Sequence, residues 1–528
     1  MSEADVIVVG AGHNSLVAAA YLAVAGYRVK VLEGRERPGG DTCTEELTLP
    51  GVLHDSCSSA HNLIQSNPLI RDNELRLDAY GLEYLFPEPA YVFTLPDGES
   101  ITMHRDVERT AAEIARHSPR DAAAYRELLA DWEKLRPLQA RERGQAPLPP
   151  EELDALWRSG PLGVEALRLR AASALQVIEE RFEHPHVRAF MAWTAMLTLE
   201  PVDRPFTGLL AFSLVAGRQQ HSWTTPRGGS FALPAALIRR IEAHGGEVEC
   251  GAWVERILVE GGRAAGVVTR DGRTFRARVG VLSSQHVTQL PGALGEHLDD
   301  GSRRALSRWR AGLTMFVSHY ALAEAPRYRT HGGDTLAVAM GVLDSIDALH
   351  AQLAAFRRGR VHTDRPYLLC VASTVVDRTR APQGMHTLKV IGIQPYDLAE
   401  GPQRWDEIKD EVSEALLETY LSRTVNLTRR HILAKHVESP LDLERRNPNN
   451  FRGSCHGGDV SPDQSGWLRP AAGWAGYRTP VPGLYLTGAC THPGGSVSGM
   501  PGRNAARAML ADLGVAWDEV LARAAARA

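Results

Sequence analysis

Glycine-rich stretches at opposite ends of this 528-residue chain carry the residues best suited to chemistry. The first, Gly10-Ala11-Gly12-His13-Asn14-Ser15, lies between an apolar strand-like run, Asp5 to Val9, and a small-residue stretch, Ser15 to Ala25, that reads as a helix. A first glycine permits the tight turn, and a second lets the backbone approach a pyrophosphate. The free N–H groups at the helix start favour the anion. The third position, which wants a small residue for packing, is Ser15. Arg28 to Leu32 reads as a second strand, and Glu33 follows it, placed to accept hydrogen bonds from a ribose hydroxyl pair and to repel a 2′-phosphate. The pattern predicts a βαβ unit that binds a dinucleotide through Gly10, Gly12, Ser15 and Glu33. A structural glycine turn with a surface glutamate is the competing reading.

Arg37-Pro38-Gly39-Gly40 comes next. A nicotinamide dinucleotide needs no second glycine pair here, whereas the longer, extended FAD needs a second close backbone approach, so Gly39 and Gly40 favour FAD. An ordinary Pro-Gly turn has the same composition. Near the other end a short strand-like run stops at Gly488, and the glycine-dense segment Cys490 to Asn504 leads into a helix predicted over Ala505 to Leu513. Such a junction brings backbone donors to an electron-rich group, which on a flavin is the edge that gains negative charge on reduction. His61 and His492, beside these segments, are the candidate catalytic proton-transfer residues, with loop bracing through a ring nitrogen as the alternative role. Trp223 and Tyr477 are candidates for lining the cavity or for plain core packing. No His, Cys or Asp cluster shows ligand spacing, so no metal site is expected.

These residues need a scaffold. From about Asp106 to Arg181 the spacing turns helical, interrupted by the proline-rich stretch Gln145 to Pro150. Residues Gly228 to Ser284 return to α/β character, with a helix over Ala232 to His244, a strand over Val248 to Trp253, and strands at Val267 to Thr269 and Phe275 to Leu282. Strands at Met315 to Tyr320, Leu368 to Thr374 and Thr387 to Ile393, and a helix over Trp405 to Leu421, fill the next region. The expected fold is α/β: a doubly wound Rossmann-like FAD-binding domain in three pieces, 1–105, 226–302 and 448–528, with an inserted mixed α+β substrate lobe formed by 106–225 and 303–447.

With 59 Lys and Arg against 63 Asp and Glu, the net charge is −4, so no basic field exists to attract nucleic acid. The six cysteines form no CxxC pair, which argues for a reducing compartment and against disulfide-exchange catalysis. The N-terminal residues carry no secretory pattern, and no apolar run reaches the roughly 20 residues of a membrane helix. A cytoplasmic protein is expected, with peripheral membrane contact and oligomeric state left open.

The motifs resemble those of the phytoene desaturase and carotenoid ketolase-like branch of FAD-dependent amine-oxidase-type flavoproteins. The match runs through Gly10 to Ser15, Glu33, Arg37 to Gly40, Pro50-Gly51 with His54-Asp55, Pro226-Arg227-Gly228-Gly229, and Tyr477-Arg478-Thr479-Pro480 through Arg503-Asn504-Ala505-Ala506. The resemblance implies non-covalent FAD with its pyrophosphate on Gly10 and Gly12, its ribose on Glu33 and its adenine against the Val254 backbone. It also implies that Gly488, Gly494, Gly495 and Val497 approach the ribityl chain and the isoalloxazine. The chain departs from the pattern at Ser15, which replaces a glycine, and at Ala489, where many related flavoproteins carry a ribityl-binding aspartate. The expected activity is that of an FAD-dependent oxidoreductase of the desaturase or oxidase type, taking hydride from an apolar isoprenoid or polyketide-like small molecule, with isomerisation open. An NADPH-linked flavin reductase would call for a second glycine-rich fingerprint, which the sequence does not show. A non-enzymatic prenyl-binding chaperone of related fold need not keep the closing flavin loop, which this chain keeps.

Overall fold

A computed structural model describes residues 2–526. Strand β1 (Ser2–Val9) lies parallel between β2 (Val29–Leu32) and the strand Thr274–Ser283, with Ile7 opposite both Lys30 and Val281. Glu247–Glu249 extends the parallel set beyond β2, and Leu484–Leu486 pairs with the end of Thr274–Ser283 on its other side. An antiparallel meander, Val254–Glu260 and Arg263–Thr269, completes this seven-stranded sheet. The apolar residues of β1 alternate as a strand must. Val6 and Val8 pack into the cluster that holds helix α1 (His13–Val24), while Ile7 and Val9 face Ile257, Val267 and Leu290.

Helix α1 is buried from Asn14 to Val24, wedged between the sheet and the helices Ala232–Glu242 and Met500–Asp512. That accounts for its run of small residues. The crossing with Met500–Asp512 is so close that a Cβ at Gly502 would lie 2.1 Å from the Asn14 carbonyl oxygen.

A second seven-stranded sheet runs in the order Ile432–Glu438, Met315–Leu322, His386–Ile393, Leu368–Val371, Ala339–Val342, Tyr91–Thr94, Ser100–Met103. Helices between Val107 and His221 pack on it through Trp193, Phe190 and their neighbours. The α/β expectation with a Rossmann-like unit holds, with three local corrections. The hairpin Tyr91–Met103, expected in the cofactor piece 1–105, pairs instead with the second sheet through Met340 opposite Val92. Its fully buried strands suit the interior of either sheet, so composition alone does not choose between them. The strand expected over 248–253 breaks at Gly251, where φ is +68°, into a parallel edge and the start of the meander. The helix expected over Ala505 to Leu513 begins instead at Met500, so Arg503 and Asn504 are helical.

Candidate active site

The two glycine turns meet at the carboxyl ends of the parallel strands, where open α/β sheets place ligands. Gly10 takes φ +87°, and a Cβ on it would sit 2.5 Å from Ser284 Oγ. The Glu33 carboxylate fastens the turn: the Ala11 N–H donates to Oε2 at 2.7 Å and the Arg35 N–H to Oε1 at 3.0 Å. Gly39 donates its N–H to the Ala11 carbonyl at 2.8 Å, which docks the second glycine turn on the first. Gly40, at φ +60°, lies so close that its Cβ would be 3.0 Å from Gly12 Cα.

Two cavities flank this contact. The smaller, about 620 Å³ of non-protein space, is lined by Gly10, Glu33, Trp253, Val254 and Gln285. The Val254 carbonyl there accepts from Gln285 Nε2 at 3.1 Å. The larger, about 1400 Å³ including its mouth, takes Ser15, Gly488, Gly495 and Val497 in its wall. Gly12, Gly40 and Ser284 line both. Gly39 and Gly494 line neither and act through the turns they shape: the Gly494 N–H donates to the Thr491 carbonyl at 2.8 Å.

The start of α1 presents donors without partners. No side chain caps it at Gly12, and Ser15 Oγ is buried without a hydrogen-bond partner, as are His13 Nε2 and Asn14 Oδ1. Uncapped N–H groups and the helix dipole favour negative charge. A pyrophosphate between the two cavities, near Gly12 and Gly40, would accept from the free N–H groups and the Ser15 hydroxyl, though not from Asn14 Oδ1, so the residues present fit a long extended dinucleotide. Ser15, a departure from the glycine pattern, thereby supplies a hydroxyl that glycine lacks.

Both histidines nominated from the sequence turn away from the cavity. His61 is buried between Tyr84 Oη and Ser230 Oγ, each 3.2 Å from a ring nitrogen, and burial lowers its pKa to about 3. His492 places Nε2 3.0 Å from the Glu142 carbonyl, and burial likewise lowers it to about 3. Each braces a loop through its ring, and neither lines either cavity. Trp223 does line the larger cavity, while the Tyr477 hydroxyl donates to the His492 carbonyl at 2.9 Å in the cofactor-side core.

The cavity wall instead holds Cys57, Cys455 and His456. The Cys455 thiol is pulled down to about 5, first by its hydrogen bond with Cys57 and then, against burial, by the neighbouring His456 charge. Burial on its own would lower His456, but the Cys455 sulfur and Glu200 outweigh it and raise the imidazole to about 9. Burial pushes the Glu200 carboxyl up to about 7. The two shifts run in the direction that favours a thiolate beside an imidazolium. Sequence spacing gave no sign of this cluster, because Cys57 and Cys455 come from opposite ends of the chain. The adjacency of Cys455 and His456 was the one available signal.

Leu197, Leu199, Leu214, Met315 and Ile391 form an apolar stretch of the wall, and Asp41, Asn62, Asn447 and Asn449 a polar one. Arg218, nine-tenths buried, also lines the cavity and lies 4.1 Å over the Trp223 ring.

Residues 8–73 match the NAD(P)-binding Rossmann-like domain. The chain is 28% identical to one of the subunits of limonene dehydrogenase from Castellaniella defragrans, over 99% of this chain and 98% of that one. It is 25% identical to a lycopene-forming phytoene desaturase of Pseudescherichia vulneris, over 94% of this chain and 96% of that one. An engineered putrescine oxidase shares the fold with a TM-score of 0.63 at 18% identity, over 97% of this chain and 98% of the other. The resemblance drawn from the motifs therefore extends along nearly the whole chain.

Proposed function

We propose that this chain, an FAD-dependent oxidoreductase of the phytoene-desaturase-like kind, oxidises or desaturates a largely apolar small molecule seated in the larger cavity. The observation that carries the reading is the pair of cavities joined at Gly12 and Gly40 under the uncapped start of α1. FAD would rest its pyrophosphate on Gly10, Gly12 and Ser15, its ribose on Glu33 and its adenine beside Val254. Gly40, Gly488, Gly495 and Val497 would hold the ribityl and ring end, with Gly39 and Gly494 shaping the turns. When bound, the flavin accepts a hydride from a substrate C–H bond.

The chain's own contribution is positioning, exclusion of water and one proton. The apolar wall orients the substrate and desolvates it. Cys455 Sγ and its neighbour His456, both in the cavity wall, would take the proton released with the second C–H bond. His61 and His492 have no such access.

Arg218 refines the substrate class. Burial draws its guanidinium down to about 10, so it stays charged at neutral pH, and its bond to the Ser222 carbonyl is long, at 3.4 Å. A charge buried on an apolar wall is costly without an acceptor. The substrate that suits it has an isoprenoid or polyketide-like body and one oxygen function. The relatives' names, limonene dehydrogenase and phytoene desaturase, support the apolar body.

Heat denaturation of the purified protein tests the cofactor reading. A yellow protein releasing FAD is expected; a colourless protein that takes up no added FAD ends the proposal.

A further inference from the structure

His117, His184 and His186 converge in the helical lobe, outside both cavities. His117 sits in the turn between the helices Val107–Ala115 and Pro119–Arg143, His184 caps the helix Pro185–Ala195, and His186 lies in that helix's first turn. Their ring centroids are 5.1, 5.3 and 5.5 Å apart, and one ligand nitrogen of each lies within 4.8 Å of the other two. The segments are fixed in place by Asp121, fully buried, whose carboxylate accepts the N–H groups of Glu183 and His184 at 2.9 Å each. The convergence is therefore built into the backbone.

The ring nitrogens are in the state a cation requires. His117 Nε2 and His186 Nδ1 are buried without any hydrogen-bond partner. On the far side of the His186 ring, Nε2 lies 3.6 Å from Asp97 Oδ2. A carboxylate behind a histidine whose other nitrogen is free is the arrangement that orients metal-ligating imidazoles. His184 Nδ1 accepts the His186 N–H at 3.2 Å, a long cap bond that the ring would give up on turning to a metal.

We propose that His117, His184 and His186 form a binding site for a divalent transition-metal ion of the zinc type, with Asp97 orienting His186 from behind. Three imidazole ligands would leave the fourth tetrahedral position to water. Ligation would require the side chains to rotate until the nitrogens lie roughly 2.1 Å from the ion. The ion would tie the turn at His117 to the start of Pro185–Ala195, bracing the lobe that supplies Leu197, Leu199, Leu214 and Arg218 to the cavity wall. This inference does not depend on the flavin reading.

Calorimetric titration of zinc chloride into the purified, chelator-treated protein tests it. One equivalent is expected to bind to the wild type and to raise its melting temperature. His117→Ala combined with His186→Ala should weaken this uptake more than 10-fold and abolish the thermal shift, while the flavin spectrum stays unchanged. Asp97→Asn, at a half-exposed hairpin position, should fold normally and bind roughly 10-fold more weakly; it keeps the question decidable if the double variant does not fold. No uptake by the wild type, undiminished uptake by the double variant, or unchanged affinity in Asp97→Asn would each overturn the site as described.

Discussion

Arg380 and Asp55, 325 residues apart in sequence, form a buried ion pair with Nη2 to Oδ1 at 3.0 Å and Nη1 to Oδ2 at 3.2 Å. Asp55 Oδ1 also accepts from Thr44 Oγ1 at 2.8 Å and from the Ser230 N–H at 2.9 Å, while Arg380 holds the Leu53 carbonyl. One carboxylate thus joins the first segment, the glycine loop before Ala232–Glu242 and the second insertion. Removing one partner of a buried pair strands the other charge. Asp55→Ala should therefore cost about 3 to 5 kcal/mol in denaturant unfolding; a loss below about 1 kcal/mol would show that the joint is not what holds the pieces together.

The cofactor assignments of Ser15 and Glu33 separate in a fluorescence titration of FAD into protein stripped of flavin. Ser15→Ala removes a hydroxyl aimed at an anion and should weaken binding by about 1.5 to 3 kcal/mol, or roughly 10- to 150-fold. Glu33→Gln should weaken it to a similar degree, and because Glu33 also holds the Ala11 N–H, it should lower thermal stability as well. Unchanged affinity in either variant removes that residue from the site.

Alkylation reads the charge state of Cys455 directly. In the flavin-free protein its modification by iodoacetamide, located by mass spectrometry, should persist as pH falls from 9 and decline only towards about 5, because the reactive thiolate survives down to its depressed pKa. Cys57→Ala and His456→Gln each remove a cause of the depression and should move the decline upward. A wild-type decline already complete by pH 8 contradicts the thiolate.

Arg218→Met keeps bulk and removes charge. With geranic acid and the corresponding hydrocarbon as probes, the variant should lose affinity for the acid by 10-fold or more and bind the hydrocarbon as well as before, as seen in the perturbed flavin spectrum. Equal losses for both probes would reduce Arg218 to a packing residue.

Electrons are expected to enter from the organic substrate, since the sequence offers one fingerprint, Gly10 to Glu33, which the proposed FAD would occupy. Anaerobic stopped-flow mixing with NADH and with NADPH should leave the flavin oxidised over seconds. Rapid bleaching at micromolar nicotinamide would favour the reductase alternative.

The sequence by itself determined the βαβ unit and the position of its glycine turns, because these depend on local requirements: alternation in β1, small residues along α1, and positive φ at Gly10 and Gly40. It also marked Arg503 and Asn504 as part of a specific signature without showing their work. Arg503 pairs with Glu74 at 2.6 and 2.8 Å, and Asn504 Nδ2 donates to the Tyr477 hydroxyl at 2.9 Å, so both fasten helices instead of touching a ligand. Only the tertiary structure decided which side chains share the cavity. It brought Cys57 to Cys455, turned His61 and His492 into braces, gave the hairpin Tyr91–Met103 to the second sheet, and gathered three histidines from two helix starts. The physical reason is range: a turn or a strand is set by neighbours within a few residues, whereas the direction a buried side chain faces is set by whichever distant segment fills the space beside it.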